Sequence, residues 1–266
     1  MKDPYSDPDS QEAVTLEAMI TRLEERGQHP RFASMVERYA SSLPQDRPLK
    51  VLEIGCGTGV ILRQVAKSLH PDSVLHGADI SQSFLNKAQL LDTSGKIQWD
   101  HQPAGQLTYD SGSFDAVILH TLLSHVPDPD VVLQEVARVL KPKGQLIMFD
   151  ADHAGTTYGL PEYTKMRQID FTLTSAIATH PDICRQLPRL LQSSNFHLQQ
   201  HHSEIISECG KGEFWLSSVQ GFAKMIPKLG ILTPEDTEYW TNHMLSSHEK
   251  GTFFAAGAFY TFFAER

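Results

Sequence analysis

The fold of this chain is decided by the stretch VLEIGCGTG, which runs from Val51 to Gly59. Its first four residues are mostly apolar and predict a short buried strand, and a helical pattern of apolar residues starts at Val60. Three alternating glycines lie between the two. Glycine suits this turn because its backbone adopts angles that a Cβ forbids, and because a ligand can then lie against the main chain. The stretch therefore predicts a strand, a tight turn and a helix that together bind a nucleotide.

The spacing of the glycines separates three kinds of nucleotide-binding loop. A dinucleotide loop has the pattern G-x-G-x-x-G, but here the third glycine is Gly59, and Val60 stands where that pattern requires glycine. A P-loop requires Gly-Lys-Ser/Thr, which the stretch lacks. The remaining pattern, E-x-G-x-G-x-G with Glu53 below the loop, resembles the first motif of the class I S-adenosylmethionine-dependent methyltransferases.

A second acidic residue extends the resemblance. The run VLHGADI at residues 74–80 predicts another short strand, and its Asp79 lies roughly 20 residues beyond the glycine loop, where an acid binds a ribose diol. Asp79 is alternatively the cap of the next helix, although Ser81 and Ser83 can also fill that role. The run GADIS and the residues after it are similar to the second motif of the family.

The resemblance implies an α/β fold of the Rossmann-like class I methyltransferase type, with a seven-stranded, mostly parallel sheet, an antiparallel C-terminal strand and helical caps. It implies S-adenosyl-L-methionine as the cofactor and methyl transfer to a small molecule as the activity, in the methyltransferase type 11-like branch, with no metal. The residues that we expect to bind the cofactor are Tyr39, Glu53, Gly55, Cys56, Gly57, Asp79, Ile80, Ala104, Gly105 and His120.

Two segments outside the glycine loop supply some of these contacts. The run RGQHP at residues 26–30 resembles a helical cover of the cofactor, in which Tyr39 either donates to the methionine carboxylate or is a half-buried aromatic. After a third strand at residues 97–102, Pro103 replaces the acid that relatives use to bind adenine. The adenine amino group must then donate to Gln102 or to a main-chain carbonyl.

The rim beyond the fourth strand carries the candidate chemistry. Residues 113–120 predict that strand and resemble the family's Ser-Phe-Asp-x-Val motif, and the run TLLSHVP follows at the edge where open α/β sheets bind ligands. Methyl transfer is an in-line displacement that depends mainly on alignment, and a base helps when the acceptor is a hydroxyl or an acidic carbon. His125 is the candidate base, with Asp150, Asp152 and His153 as second choices, although any of the 13 histidines can be structural.

The rest of the chain is predicted to cover this core. Helical periodicity predicts an N-terminal cap in residues 1–45, followed by the cofactor-binding core in residues 46–152. Residues 153–266 are expected to complete the core and to add helical insertions that form a substrate lid or a dimer surface. Further strands are predicted at residues 145–149, 196–206 and 252–264, and helices at residues 12–25, 31–43, 161–179, 182–194, 214–226 and 234–247.

Composition narrows the partners and the compartment. The formal net charge is −9 over 266 residues, without a block of Lys and Arg, which argues against a nucleic-acid partner. Three scattered cysteines form neither a disulfide framework nor a zinc site, and they are too few for the arsenic-methylating branch of the family. No run approaches the ~20 apolar residues of a membrane span, and the polar start lacks the apolar core of a signal peptide. We therefore expect a cytoplasmic protein with a small-molecule substrate and no membrane partner, and a homodimer stays open.

Two other functions remain as alternatives. One is a protein that binds S-adenosylmethionine in the same fold without transferring its methyl group. The other is a nicotinamide-dependent oxidoreductase, against which the glycine spacing and Val60 argue. Within methyl transfer, the sequence does not separate oxygen, nitrogen and carbon acceptors.

Overall fold

The computed structural model describes residues 3–266, which form one mixed sheet with helices on both faces. The strands are β1 (Lys50–Ile54), β2 (Val74–Asp79), β3 (Ile97–His101), β4 (Phe114–His120), β5 (Leu140–Tyr158), β6 (His197–Gly210) and β7 (Phe253–Glu265). Their order across the sheet is β3-β2-β1-β4-β5-β7-β6, in which β7 runs antiparallel to both of its neighbours and the other pairs are parallel. The predicted fold class is confirmed.

The helices of the described residues connect these strands and cover them. They are α1 (Ala13–Gln28), α2 (Pro30–Ala40), α3 (Val60–Val65), α4 (Gln82–Leu91), α5 (Pro129–Val139), α6 (Tyr163–Ile177), α7 (Ile183–Ser193), α8 (Phe214–Leu229) and α9 (Pro234–Lys250). Successive strand residues point to opposite faces, so Val117 and Ile118 of β4 belong to two different apolar layers. The layer with Ile118 contains Phe32 of α2, and the layer with Val117 contains Leu133 of α5. Both faces of the central strands are therefore buried.

The cap helices α1 and α2 are closer together than the sequence predicted. The run from Gly27 to Pro30 was expected to separate them, but α1 continues to Gln28 and Pro30 is already the first residue of α2. Proline is tolerated at that position because the first turn of a helix does not need its N–H. Gly27 is buried inside α1, where a Cβ would lie 2.7 Å from Val60. The missing side chain therefore lets α1 pack tightly on α3.

Strand β5 is much longer than the predicted strand at residues 145–149. Its parallel partner β4 ends where His120 pairs with Phe149, but antiparallel pairing with β7 continues as far as Tyr158. Asp150 and Asp152 therefore lie inside β5 and not beyond its carboxyl end, as the sequence had suggested. The apolar pattern in the sequence predicts the part of β5 that pairs with β4, but it does not show that β5 continues by pairing with β7.

Helices α8 and α9 form the insertion between β6 and β7. They pack against the sheet through large aromatic residues: the ring of Trp240 in α9 lies 5.4 Å from the ring of Tyr158 in β5. Within residues 3–266, no helix combines the length and the apolar character that crossing a bilayer requires.

Candidate functional site

A cavity of about 390 Å³ opens at the carboxyl ends of β1, β2 and β4. Open α/β sheets bind their ligands at this edge. The cavity brings together residues from the glycine loop, from the ends of the three strands and from the start of α5. The residues predicted from the sequence that line it are Glu53, Gly55, Cys56, Gly57, Asp79, Ile80, Ala104, Gly105, His120 and His125.

The three glycines of the loop all have left-handed backbone angles, with φ of +71° at Gly55, +53° at Gly57 and +73° at Gly59. A Cβ at Gly55 would lie 2.6 Å from Leu122, and one at Gly59 would lie 2.3 Å from the ring of Trp99. These two glycines are thus required by protein packing. At Gly57 the nearest atom to a Cβ is a methyl of Leu23 at 3.3 Å, so this glycine leaves its space to the cavity.

Asp79 fixes the glycine loop to the end of β2. Its carboxylate accepts hydrogen bonds from the backbone N–H of Gly57 at 2.7 Å and of Ser81 at 2.8 Å. The cap of α4 is Ser81, whose hydroxyl accepts from the backbone N–H of Phe84 at 3.1 Å. Burial raises the pKa of Asp79 above its ordinary value, and the two backbone donors oppose that shift. Asp79 therefore lines the cavity without being the helix cap.

Glu53 contributes a buried carboxyl group with an unused oxygen. It is 1% exposed, and its Oε2 has no hydrogen-bond partner among the described residues. Burial, and secondly the charge of Asp79, raise the pKa of Glu53 well above its ordinary value. A ligand that supplies a hydrogen-bond donor to this oxygen would remove an unfavourable buried group.

Tyr39 does not reach the cavity, in contrast to its predicted role as a cofactor contact. Its side chain is fully buried, and its hydroxyl lies 2.9 Å from Nδ1 of His120. His120 lines the cavity, with its ring stacked on Phe149 at 4.5 Å and its Nε2 without a partner in the described part of the chain. Burial and then the charge of Arg26 hold the pKa of His120 well below its ordinary value. Tyr39 therefore positions a neutral imidazole and does not face the ligand.

Arg26 was not predicted, although it begins the run that was interpreted as a cofactor cover. It lines the cavity, and its guanidinium donates to Oγ1 of Thr121 at 3.1 Å and lies 5.2 Å above the ring of Phe32. No carboxylate of the described residues lies within 4.0 Å of it. Burial lowers the pKa of Arg26. A guanidinium without an acidic partner at a cavity wall is suited to binding a carboxylate.

Residues 102–105 were predicted to contain the hydrogen-bond acceptor for the adenine amino group, either the Gln102 side chain or a main-chain carbonyl. The side-chain oxygen of Gln102 already accepts from the backbone N–H of Thr108 at 2.7 Å and from its hydroxyl at 3.1 Å. The cavity is lined by Gln102, Pro103, Ala104 and Gly105. A main-chain carbonyl is therefore the better candidate for the adenine amino group.

An N-terminal strap, defined as residues 3–10, also lines the cavity and was not predicted. It contains two short 3-10 turns, Pro4–Ser6 and Pro8–Ser10, and presents Tyr5, Ser6 and Pro8 to the cavity. Asp9 fastens it to α4 by accepting from the hydroxyl of Ser81 at 2.7 Å and from the backbone N–H of Gln82 at 2.9 Å. Its signal in the sequence is the repeated Asp-Pro pair, since aspartate and proline favour the cap and first position of a helical turn.

His125 lines the same cavity as the glycine loop. Its Nδ1 is 2.7 Å from Oδ2 of Asp3 in the strap, and no described residue forms a hydrogen bond with its Nε2. Its ring centroid is 5.1 Å from that of Tyr5 and 6.2 Å from that of His153. The predicted base therefore has one ring nitrogen bound to an acid and the other available to a ligand.

The second-choice residues lie behind the cavity wall. Asp150 is 3% exposed and accepts from the hydroxyl of Ser124 at 2.8 Å, and Asp152 forms an ion pair with Arg185 at 2.8 Å. Neither lines the cavity, so the prediction that they take part in the chemistry loses its structural basis. Burial, followed by the charges of His125 and two arginines, lowers the pKa of His153 to about 3. Asp150 and His153 are therefore neighbours of His125, whereas Asp152 is paired with Arg185.

Helices α8 and α9, which form the insertion between β6 and β7, do not line the large cavity. The residues of α8 that approach the site line a smaller cavity of about 120 Å³, which they share with α1 and with Arg26. Helix α9 lines neither cavity. The part of the predicted lid that lies near the ligand site is thus the start of α8.

Comparison with known proteins gives a match for the central part of the chain. Residues 52–148 match the family described as "Methyltransferase domain". The chain is 31% identical over 143 residues to the 27-O-demethylrifamycin SV methyltransferase of Amycolatopsis mediterranei, which corresponds to 52% of this chain and 47% of that protein. The chain spans about half the length of the curated relatives it matches, between 43% and 61% for the first four.

Two solved structures share the fold at low identity. The cyclase SpnF superimposes with a TM-score of 0.58 and 18% identity, covering 90% of this chain and 84% of that chain. Phosphoethanolamine N-methyltransferase 2 of Haemonchus contortus, solved with S-adenosylhomocysteine, gives a TM-score of 0.54 and 16% identity, covering 89% of this chain and 52% of that chain. At these identities the likeness concerns the fold alone.

Proposed function

We propose that this chain, whose core is a class I S-adenosylmethionine-dependent methyltransferase domain, transfers a methyl group from S-adenosyl-L-methionine to a small-molecule acceptor. The family, the fold class and the cofactor that the sequence predicted are confirmed. The activity of the whole chain, its acceptor and the residues that act in the reaction are the proposal.

One observation carries the proposal: a single cavity joins the glycine loop to His125. A protein that only binds the cofactor needs the loop and Asp79, but it does not need a histidine in the same cavity whose second ring nitrogen has no hydrogen-bond partner among the described residues. His125 provides that nitrogen, since no described residue bonds to its Nε2. The arrangement suits a reaction in which an acceptor loses a proton as it receives the methyl group.

The residues of the cavity fit the cofactor group by group. The main chain around Gly57 allows close approach, and Asp79 offers carboxylate oxygens for the ribose hydroxyls. Arg26 is the partner that we assign to the methionine carboxylate, and the unpaired Oε2 of Glu53 accepts a hydrogen bond from the polar end of the ligand. When bound, S-adenosyl-L-methionine supplies the reactive methyl group, and the protein supplies alignment and a place for the proton.

Alignment is the larger contribution that this cavity can make. Well-oriented reactants gain roughly 7 to 11 kcal/mol relative to free encounter, while a base adds ~10² to 10⁴-fold in rate. Tyr5 and Pro8 of the strap line the cavity, and we expect them to limit access of water to the reacting atoms. In the proposed reaction, Nε2 of His125 accepts the proton that the acceptor loses as it attacks the methyl carbon.

The acceptor, the partners and the location belong to the proposal. The name of the Amycolatopsis mediterranei relative, 27-O-demethylrifamycin SV methyltransferase, supports a small-molecule acceptor. The net charge of −9 argues against nucleic acid as a partner. We keep the division into a cap at residues 1–45, a core at residues 46–152 and a C-terminal part at residues 153–266. We also keep the cytoplasmic location, which agrees with three free cysteines, and the homodimer, which sedimentation would test.

The experiment has two stages, binding and transfer. Isothermal titration with S-adenosylhomocysteine measures the cofactor site, and incubation with methyl-labelled S-adenosyl-L-methionine and a panel of phenols, carboxylic acids and amines measures transfer by mass spectrometry. We expect binding and a methylated product from at least one class of acceptor. Binding without any methylated product would favour the alternative of a protein that binds the cofactor without transferring its methyl group. Binding of NAD in place of S-adenosylhomocysteine would favour the oxidoreductase alternative.

A further inference from the structure

We infer that Asp3 is a positioning residue for His125: its carboxylate holds the imidazole with the proton on Nδ1, so that the lone pair of Nε2 is presented to the cavity. The inference rests on the proposed function, because it concerns the base of the proposed methyl transfer. The two residues are 122 positions apart, and the N-terminal strap brings them together.

The carboxylate of Asp3 is held in place from several sides. Its side chain is 3% exposed, and its Oδ2 accepts from Nδ1 of His125 at 2.7 Å. The same oxygen accepts from the backbone N–H of Thr179 at 3.2 Å and from its hydroxyl at 3.3 Å, while Oδ1 accepts from the backbone N–H of Tyr5 at 2.9 Å. Both oxygens are therefore occupied, and the carboxylate cannot rotate away from the imidazole without breaking these bonds.

The chemistry of the two groups assigns the proton. An ionised carboxylate only accepts hydrogen bonds, and a neutral imidazole carries one N–H, so a contact of 2.7 Å between Oδ2 and Nδ1 requires the proton on Nδ1. The nitrogen that remains, Nε2, is then an acceptor. A carboxylate on the far nitrogen orients catalytic and metal-binding histidines in the same way in other proteins.

The neighbours of His125 leave Asp3 as its direct acidic partner. Asp150 also acts on His125 through its charge, but its oxygens accept from Ser124 and from the backbone N–H of Ala151. His153 faces the ring at 6.2 Å and Tyr5 at 5.1 Å, and neither forms a hydrogen bond with it among the described contacts. The strap residue is thus the group that fixes the ring.

The proposed methyl transfer requires the sulfonium methyl group, the acceptor and His125, and no further reactant. The bond between the acceptor atom and the methyl carbon forms while the bond between that carbon and the sulfonium sulfur breaks, and its electron pair stays on sulfur. The proton of the acceptor moves to Nε2 of His125. The imidazolium that results is stabilised by the adjacent Asp3 carboxylate until the proton is released to solvent.

The strap carries both Asp3 and cavity-lining residues, so one segment forms part of the cavity wall and also contacts the base. Asp9 ties the other end of the strap to α4, next to Asp79. A strap that opens would separate Asp3 from His125 and expose the reacting atoms to water in the same movement. The strap therefore contributes both to the cavity wall and to the position of the base.

The test compares Asp3→Asn, Asp3→Glu and the control Thr179→Val. Asn keeps the size of the side chain but loses an acceptor, and Glu restores the carboxylate. Thr179→Val removes a hydroxyl that anchors the same carboxylate and touches the backbone oxygen of His125, but it leaves the contact at Nδ1. Each variant is measured for thermal unfolding, for S-adenosylhomocysteine affinity, for the nitrogen-15 signals of His125, assigned with His125→Ala, and for turnover of the acceptor that the panel identifies.

We expect Asp3→Asn to lower kcat on the order of 10- to 100-fold, below the ~10² to 10⁴-fold that a base contributes. The affinity for S-adenosylhomocysteine should change less than about twofold, and the nitrogen-15 pattern should lose the Nδ1–H form, because only the positioning contact is removed. Asp3→Glu should recover part of kcat and of the nitrogen-15 pattern. Thr179→Val should keep the Nδ1–H form of His125 and lose less of kcat than Asp3→Asn, because the backbone N–H of Thr179 still donates to Oδ2 of Asp3.

Two results would overturn the inference. An unchanged tautomer of His125 in folded Asp3→Asn would show that the carboxylate does not fix the proton. An equal loss of kcat in Thr179→Val would show that Asp3 only anchors the strap. If wild-type protein methylates no acceptor, the proposed function fails, and the nitrogen-15 comparison still decides whether Asp3 fixes the tautomer.

Discussion

The part of the cavity that we assign to the cofactor is built mainly from residues 51–79, whereas the part that we assign to the acceptor joins His125 to Asp3, which lies 122 positions away in the chain. At the cofactor end, glycines with positive φ and one acid create the site through the shape of the main chain. At the acceptor end, side chains meet through tertiary contacts. In the proposed function, cofactor binding is thus encoded in a short local pattern, while the chemistry on the acceptor depends on how distant segments pack.

The largest expected effect breaks the cofactor end alone. Gly57→Val places a side chain where the cavity begins, and we expect S-adenosylhomocysteine binding to be lost in isothermal titration. The matched control is Gly95→Val, because Gly95 also has a positive φ, of +62°, but a Cβ there would have no atom within 4 Å. Both variants carry the strain of a left-handed residue, roughly 1–2 kcal/mol. Equal loss of binding in both would mean that strain, and not obstruction, is the cause.

The second prediction breaks the acceptor end alone. His125→Ala should lower turnover by ~10² or more and leave S-adenosylhomocysteine affinity nearly unchanged, since a base acts in the transition state and not in ground-state binding. Steady-state kinetics with the identified acceptor measures turnover, and titration calorimetry measures the affinity for S-adenosylhomocysteine. His197→Ala, at an exposed position of β6, is the control. Full turnover in His125→Ala would point to an acceptor acidic enough to need no base, with catalysis by alignment.

The third prediction weakens the cofactor end by one side chain. Asp79→Ala should cost about 1.5 to 3 kcal/mol of S-adenosylhomocysteine binding, because hydrogen bonds to a charged acceptor are lost and the tie to Gly57 disappears. Asp72→Ala is the control, since the side chain of Asp72 is 81% exposed. An unchanged affinity in folded Asp79→Ala would remove this residue from the site.

The fourth prediction tests a proposed cofactor contact that lies outside residues 51–79, between Arg26 and the methionine carboxylate. Arg26→Met should weaken S-adenosylhomocysteine binding by about tenfold, at the low end of a charged hydrogen bond, because Arg26 is only partly buried. It should leave 5′-methylthioadenosine binding unchanged, because that ligand has no carboxylate. Arg22→Met, one turn earlier on α1, is the control. The same loss for both ligands would contradict the assignment of Arg26 to the carboxylate.

The smallest expected effect is a change in mobility. Adding S-adenosylhomocysteine should slow hydrogen exchange in the strap and at the start of α8, because closing segments lose mobility when the cavity is filled. Helix α9 lines neither cavity and should exchange equally with and without the ligand. Mass spectrometry of peptic fragments gives this comparison, and slowing across all helices would indicate general stabilisation in place of closure.

The same division explains what the sequence could predict. The glycine loop, Asp79 and His125 were placed at the cavity because each follows a strand whose end is visible in the local pattern. The seven strands and their mostly parallel order also followed from local patterns and from the resemblance to a known family. The length of β5 was misjudged, since its second half pairs with β7, a partner that periodicity does not reveal.

The residues that sequence reasoning missed or misplaced act through distant contacts. Tyr39 was expected at the ligand but supports His120, because the packing of α2 on the sheet decides its direction. Asp150 has the position of a rim residue in the chain, yet Ser124 covers it. Asp3 and Arg26 carry no local signal for chemistry, and they become functional candidates only when the strap and α1 are seen against the cavity.

The place of β7 in the sheet has a consequence for how the protein folds. β7 follows β5 and β6 in the chain but lies between them, so β6 has no strand to pair with until residues 253–265 have been synthesised. Until then the second edge of β5 and both edges of β6 are open to unwanted pairing with other chains. Pairings between such distant residues also slow folding. The sheet should therefore be completed only after β7 has been synthesised, and removal of this strand should leave open strand edges that favour aggregation.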